Sequence, residues 1–195
     1  MKVAVFGGAF NPPHVGHQLT IARLLNSKLV DEVWLVPSGD RVDKKSEIST
    51  KHRIALVKRL QTSCNDKRVK VDTVQIDEKL PGSYTIDLLR HYKKKHPRDT
   101  FYFVVGSDLE KDIKKWKEGA ALLREFKFIV IYRPTNVSNS IKLPKSFVIV
   151  PDPLNLTSTV SSSACRKVLS TGSLAAGMMP KEVLAYIKRY SLYNG

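Results

Sequence analysis

The run Phe101-Tyr102-Phe103-Val104-Val105 is apolar on both sides of its alternation, and Phe128-Ile129-Val130-Ile131 repeats the pattern. A strand with one wet face alternates polar and apolar residues; a strand without alternation has both faces covered. Between such runs lie stretches with helical spacing. Strands are expected at 2–6, 32–36, 70–76, 101–105, 127–132 and 146–150, and helices at 15–26, 50–63, 85–95, 119–125, 161–170 and 180–190. Strands alternating with helices give an α/β fold, a doubly wound parallel sheet. Ligands of such sheets sit beyond the carboxyl ends of the strands. Those ends carry Gly7-Gly8-Ala9-Phe10-Asn11-Pro12-Pro13-His14 after the first strand, Gly106-Ser107-Asp108 after the fourth and Arg133-Pro134-Thr135 after the fifth.

The chain has 195 residues, room for one sizeable domain over 1–195. No apolar run approaches the about twenty residues of a membrane helix, and no signal peptide is visible, so a cytoplasmic protein with no membrane association is expected. Cys64 and Cys165 stand far apart in unlike contexts and suggest neither a disulfide framework nor a metal site. The net charge of +15 raises a basic nucleic-acid-binding module as a distant alternative. The charges are dispersed, however, and Arg90 to Lys95 closes an expected helix, where cations offset the dipole. No specific nucleic acid is expected. Two loops, Pro37 to Ser49 and Asn136 to Pro144, are polar and aperiodic.

The segment from Gly7 to His17 reads as strand, glycine turn, loop and helix start. His14 and His17 stand one helical turn apart and can aim at one point. Free N–H groups and the positive dipole end at that helix start would favour a phosphate, and paired glycines let a backbone approach a ligand closely. Further on, Val160-Ser161-Ser162-Ser163-Ala164-Cys165-Arg166 opens another helix. Serines there serve as N-caps, and a guanidinium fork suits phosphate oxygens.

Taken in order, these strings resemble the HxGH nucleotidyltransferase superfamily, with its Rossmann-like fold. GGAFNPPHVGH is most similar to bacterial nicotinate mononucleotide adenylyltransferases. VSSSACR resembles that family's ISSTxIR, VGSDLEKDIKKWKEGAALL its IGADxLxxLxxWxxxxxLL, and GSYTID its SYTIDTL. The carboxyl-terminal stretch from Pro180 to Tyr193 resembles its last helix. The resemblance implies transfer of the adenylyl group of ATP to nicotinate mononucleotide, giving deamido-NAD and pyrophosphate. It implies His14, His17, Lys44 and Arg166 as catalytic groups. Gly7, Gly8, Phe10, Gly106, Asp108, Ser162 and Ser163 would join the histidines and Arg166 around ATP. Asn11, Lys44, Ser83, Tyr84, Thr85, Trp116 and Arg133 would hold the mononucleotide, with Trp116 near the pyridine ring and the Ser83–Thr85 helix start on the nicotinate carboxylate. Mg²⁺ would travel with ATP, with no dedicated protein metal site.

Three positions depart from the family pattern. Val160 and Cys165 each replace an isoleucine, and Cys165 reads as a small buried hydrophobe. The loop's Pro-His pair is missing, so Lys44 or Lys45 could be the lysine that reaches phosphate. Thr85 or Ser83 could cap its helix, and Asp87, in that first turn, and Asp108 could blunt a preference for an acid. A nicotinamide mononucleotide or pantetheine-phosphate adenylyltransferase remains the alternative, and a homo-oligomer stays open.

Overall fold

The computed structural model describes residues 1–39, 47–78, 84–107, 110–131, 145–150, 156, 158–173 and 175–194. Six parallel strands form one sheet: β1 (Lys2–Gly8), β2 (Glu32–Pro37), β3 (Val69–Val71), β4 (Thr100–Gly106), β5 (Lys127–Ile131) and β6 (Phe147–Ile149), in the order β3-β2-β1-β4-β5-β6. The chain runs outward from β1 to β3, then returns to lay β4 against the other side of β1. That reversal opens a crevice between the carboxyl ends of β1 and β4, the switch point of a doubly wound sheet.

Side-chain alternation divides the interior into two cores. Val3, Val5, Phe101, Phe103, Phe128 and Val130 face one side with Ile86, Leu89 and Tyr92 of α4 (Thr85–Lys95). Ala4, Val104, Ile129 and Ile131 face the other, with residues of α1 (Val15–Asn26), α2 (Thr50–Cys64), α6 (Ser162–Ser170) and α7 (Lys181–Arg189). Neither face of these central strands is left to water, which is why they carry no polar alternation. In α4, by contrast, Lys93, Lys94 and Lys95 are exposed in the last turn, a solvated end that complements the dipole.

Two expectations are corrected. The strand expected at 70–76 stops at Val71. The Asp72 carboxylate accepts the Val74 N–H at 2.8 Å, a local turn that competes with the ladder, and Val74–Asp77 form the short helix α3. Gly7 and Gly8 form no turn: both belong to β1, paired with Val36 and Pro37. Gly7 is needed for space, since a Cβ there would sit 3.1 Å from the Phe103 ring. The left-handed residue of the connection is Phe10, with φ of +48°. Of the two expected loops, residues 40–46 and 136–144 lie outside the described set.

A 3₁₀ turn (Glu110–Lys115) and Trp116 lead into α5 (Gly119–Glu125). The Gly119 N–H donates to the Trp116 carbonyl at 2.9 Å. A Cβ on Gly119 would lie 2.3 Å from the Ile113 carbonyl oxygen and 2.6 Å from that of Lys114. Backbone atoms cannot yield as a flexible side chain can, so Gly119→Ala should lower stability by ~1–3 kcal/mol in a urea melt. An unchanged midpoint would mean that this turn can shift freely.

Cys165 is fully buried, and burial raises its thiol pKa. Burial likewise pushes the Cys64 thiol up to about 11. Little thiolate then exists near neutrality, and thiolate is the reactive form. Native protein should resist iodoacetamide at both cysteines, with Cys64 gaining reactivity only as pH climbs towards 11 and both labelling after unfolding. Mass spectrometry of peptides reads this directly; fast native labelling of Cys165 at neutral pH would contradict it.

Candidate active site

A cavity of about 360 Å³ occupies the crevice between the strand ends. It is lined by Gly7 and Gly8 of β1, Gly106 of β4, His14 at the N-cap of α1, His17 of α1, and Thr85 of α4 with Trp116. Residues nearly a hundred positions apart meet here because β1 and β4 are neighbours in the sheet.

The two histidines lock each other at the start of α1. Gly16 N–H donates to His14 Nδ1, and His14 N–H donates to His17 Nδ1, each at 3.1 Å. The rings lie 3.9 Å apart, centre to centre. A nitrogen that accepts an N–H carries no hydrogen, so each neutral imidazole bears its hydrogen on Nε2. Both rings are thereby set as Nε2–H donors. Phe10 packs behind His17 at 5.0 Å, and Phe6 flanks both.

This arrangement corrects the expectation of free amides at the helix start. Val15 N–H donates to the Met178 carbonyl at 2.9 Å, and His17 N–H to the His14 carbonyl at 2.9 Å. With Gly16 N–H on His14 Nδ1, the first three amides of α1 already have acceptors. The donors that α1 offers a phosphate are therefore the imidazoles, aided by the helix dipole.

The start of α4 is different. Its N-cap is Tyr84, extended at φ −75° and ψ 141°, with no side-chain cap. Thr85 is the first helical residue rather than the cap. Among the described residues no side chain closes this end, and Thr85 faces the cavity. Trp116 also lines it, with its ring edge-on to Phe103 at 6.1 Å.

Other expected residues stand behind the cavity lining. The Phe10 side chain is buried in the core. Ser162 Oγ donates to the Pro12 carbonyl at 2.8 Å, and Ser161 caps α6 by accepting the Ala164 N–H at 3.2 Å. Arg166 Nη1 donates to the Asn11 carbonyl at 2.8 Å, and its Nε lies 2.7 Å from Glu47 Oε2. Its Nη2 reaches Ser163 Oγ at 3.5 Å. Tyr193 Oη donates to Asn11 Oδ1 at 2.6 Å. Asn11, Ser162, Ser163 and Arg166 thus form a bonded cluster around residues 11–13. Lys44, Lys45, Ser83, Asp108 and Arg133 lie outside the described residues. Among the described residues there is no group of three His, Cys, Asp or Glu that could hold a metal ion, and no helix long and apolar enough to cross a membrane.

The cavity also takes in Thr20, Ser38 and the buried Gln75, none expected from the sequence. Gln75 gave no clear signal, being one of three polar residues in Val71-Asp72-Thr73-Val74-Gln75-Ile76. Thr20 donates to the Gly16 carbonyl at 2.9 Å and reads in sequence as an ordinary helix residue. Ser38 is held from elsewhere: its carbonyl accepts the buried Arg53 Nη1 at 2.7 Å.

Comparison with known proteins bears on the same elements. The cytidylyltransferase-like family model matches residues 5–168. The chain is 31% identical to a Bacillus licheniformis protein named probable nicotinate-nucleotide adenylyltransferase, over 99% of this chain and 98% of that one. A Thermus thermophilus protein of the same name is 28% identical over the full length of both. Among solved structures, Plasmodium falciparum nicotinic acid mononucleotide adenylyltransferase complexed with NaAD superposes with a TM-score of 0.80 at 28% identity, covering 98% of this chain and 97% of that chain. From the two histidines at the β1 crevice through to α6, then, the chain belongs to the cytidylyltransferase-like family and, within it, to the nicotinate-nucleotide adenylyltransferases.

Proposed function

We propose that this chain, acting as one nucleotidyltransferase domain over residues 1–195, transfers the adenylyl group of ATP to nicotinate mononucleotide, releasing pyrophosphate and forming deamido-NAD. The observation that carries the reading is the shared cavity. Two Nε2–H donors lie in the same space as a helix start without a side-chain cap and an indole. One part suits phosphate, the other a flat ring bearing an anion.

The mononucleotide 5′-phosphate oxygen attacks the α-phosphorus of ATP in line. A P–O bond forms there as the bond to the bridging oxygen of pyrophosphate breaks. The nucleophile belongs to the substrate, so the protein's task is to position two anions and to stabilise charge on the phosphoryl oxygens. His17 and His14 donate from Nε2 to those oxygens. Gly7 and Gly8 keep side chains out of the approach, and Gly106 does so on β4. Arg166, Ser162 and Ser163 act on the leaving pyrophosphate from behind the present cavity lining, and Arg166 and Ser162 also hold the 11–13 loop in place. Lys44, Asp108 and Arg133 complete the reading as further contacts to phosphate, nucleotide and mononucleotide. Mg²⁺ carried with ATP, as part of that substrate, would neutralise phosphate charge. A cytoplasmic setting, without membrane or specific nucleic-acid partner, goes with this chemistry.

The α4 start favours the acid over the amide, while Trp116 stacks on either ring. N–H groups and the positive dipole end attract a carboxylate, whereas an amide would turn its own NH₂ against them. Pyrophosphate release with ATP plus nicotinate mononucleotide, nicotinamide mononucleotide or phosphopantetheine tests the assignment. The acid should give the largest kcat/KM; turnover of phosphopantetheine alone would refute the reading.

His17→Ala should lower kcat by ~10²–10⁴ at saturating ATP, the range for a lost transition-state donor. It also removes the acceptor of the His14 N–H, so a stability loss of ~0.5–1.5 kcal/mol should accompany it. Near-wild-type turnover in the folded variant would remove His17 from the mechanism.

A further inference from the structure

A charge on α4, beside the cavity rather than in its lining, works against an anion held at that helix start. Asp87 lies in the first turn of α4, two residues beyond Thr85. With a rise of ~1.5 Å per residue, Asp87 sits only about 3 Å further along the helix axis than Thr85. The same charge that favours the helix dipole repels a nicotinate carboxylate. Lys117 answers it. Its Nζ sits 2.8 Å from Asp87 Oδ2 and 4.9 Å from the centre of the Tyr84 ring. Lys117 directly follows Trp116, which lines the cavity with Thr85. The cation is thus placed between the N-cap residue and the acid of the first turn. Nearby Arg90 is already engaged by Glu118 and Glu125, at 2.9 and 2.8 Å, and does not substitute for it.

We infer that Lys117 is a specificity-determining residue: by pairing with Asp87 and lying over Tyr84 it cancels the acid's repulsion and lets the subsite accept an anionic ring substituent over a neutral one. The inference rests on the functional reading above and adds to it a residue that the backbone amides alone do not supply. Lys117 acts through charge at the rim, not by contact with the reacting phosphates, so ATP binding should be indifferent to it.

The experiment compares kcat/KM for nicotinate and nicotinamide mononucleotides, at fixed saturating ATP, in wild type, Lys117→Met, Asp87→Asn and the double variant. Methionine keeps an apolar stem on Tyr84 without the charge. In Lys117→Met the acid-to-amide ratio should fall about fivefold to tenfold, with KM for ATP unchanged. The drop should shrink in about 0.5 M KCl, because exposed charges are screened there. Asp87→Asn should raise the ratio, since the cation is then uncompensated. The double variant should return to within about threefold of wild type, the signature of a coupled pair. Equal losses on both mononucleotides in Lys117→Met would overturn the inference, as would a double variant no better than Lys117→Met. A wild-type enzyme that turns over only the amide would overturn the functional reading first, and this inference with it.

Discussion

His14 and His17 each accept a backbone N–H at Nδ1, and much of the site's chemistry follows from that. The bonds select one tautomer for both rings, so the second ring nitrogen, Nε2, is a donor in each. They also consume an amide that a helix start would otherwise present to a phosphate. The N-terminus of α1 becomes a pair of rigid donors held by a reciprocal cap, backed by Phe6 and Phe10. Capping of α1 and lining of the cavity are carried by the same two side chains.

Such rigidity requires the approach to α1 to be held from several directions. Residues 11–15 receive Arg166 Nη1 on the Asn11 carbonyl, Ser162 Oγ on the Pro12 carbonyl and Tyr193 Oη on the Asn11 amide. Val15 in turn bonds the Met178 carbonyl. All of these partners come from the last forty residues of the chain. The carboxyl-terminal helices therefore close one core and also brace the loop that aims the histidines. Arg166 braces the loop from α6, where its guanidinium also reaches Ser163.

Much of this architecture is legible in the residues. Phe101–Val105 and Phe128–Ile131 announce strands buried on both faces, and they are. Gly7 to His17 locates the junction of β1 and α1, and Thr85 and Trp116 were expected together around one ring. Cys165 sits in the core, as its replacement of an isoleucine suggests. The failures have local causes. The apolar residues of 70–76 hide a change from strand to helix, because Asp72 bonds Val74 N–H and turns the chain. Gly7 and Gly8 look like a turn but serve as flat strand beside Phe103. The true left-handed residue is Phe10, a type that gives no warning of it.

Local pattern determined what depends on neighbours along the chain: which segments become strand or helix, which faces are apolar, and that histidines stand one turn apart. Tertiary structure decided what depends on distant partners. The adjacency of β1 and β4 brought His14, His17, Thr85 and Trp116 to one cavity. The Met178 carbonyl removed the Val15 amide from ligand binding, and Lys117 found Asp87 across thirty residues of sequence. Periodicity encodes which way a side chain faces within its own element. It carries no information about which remote donor or charge will arrive on the other side, because that is settled by strand order and by the packing of the two cores.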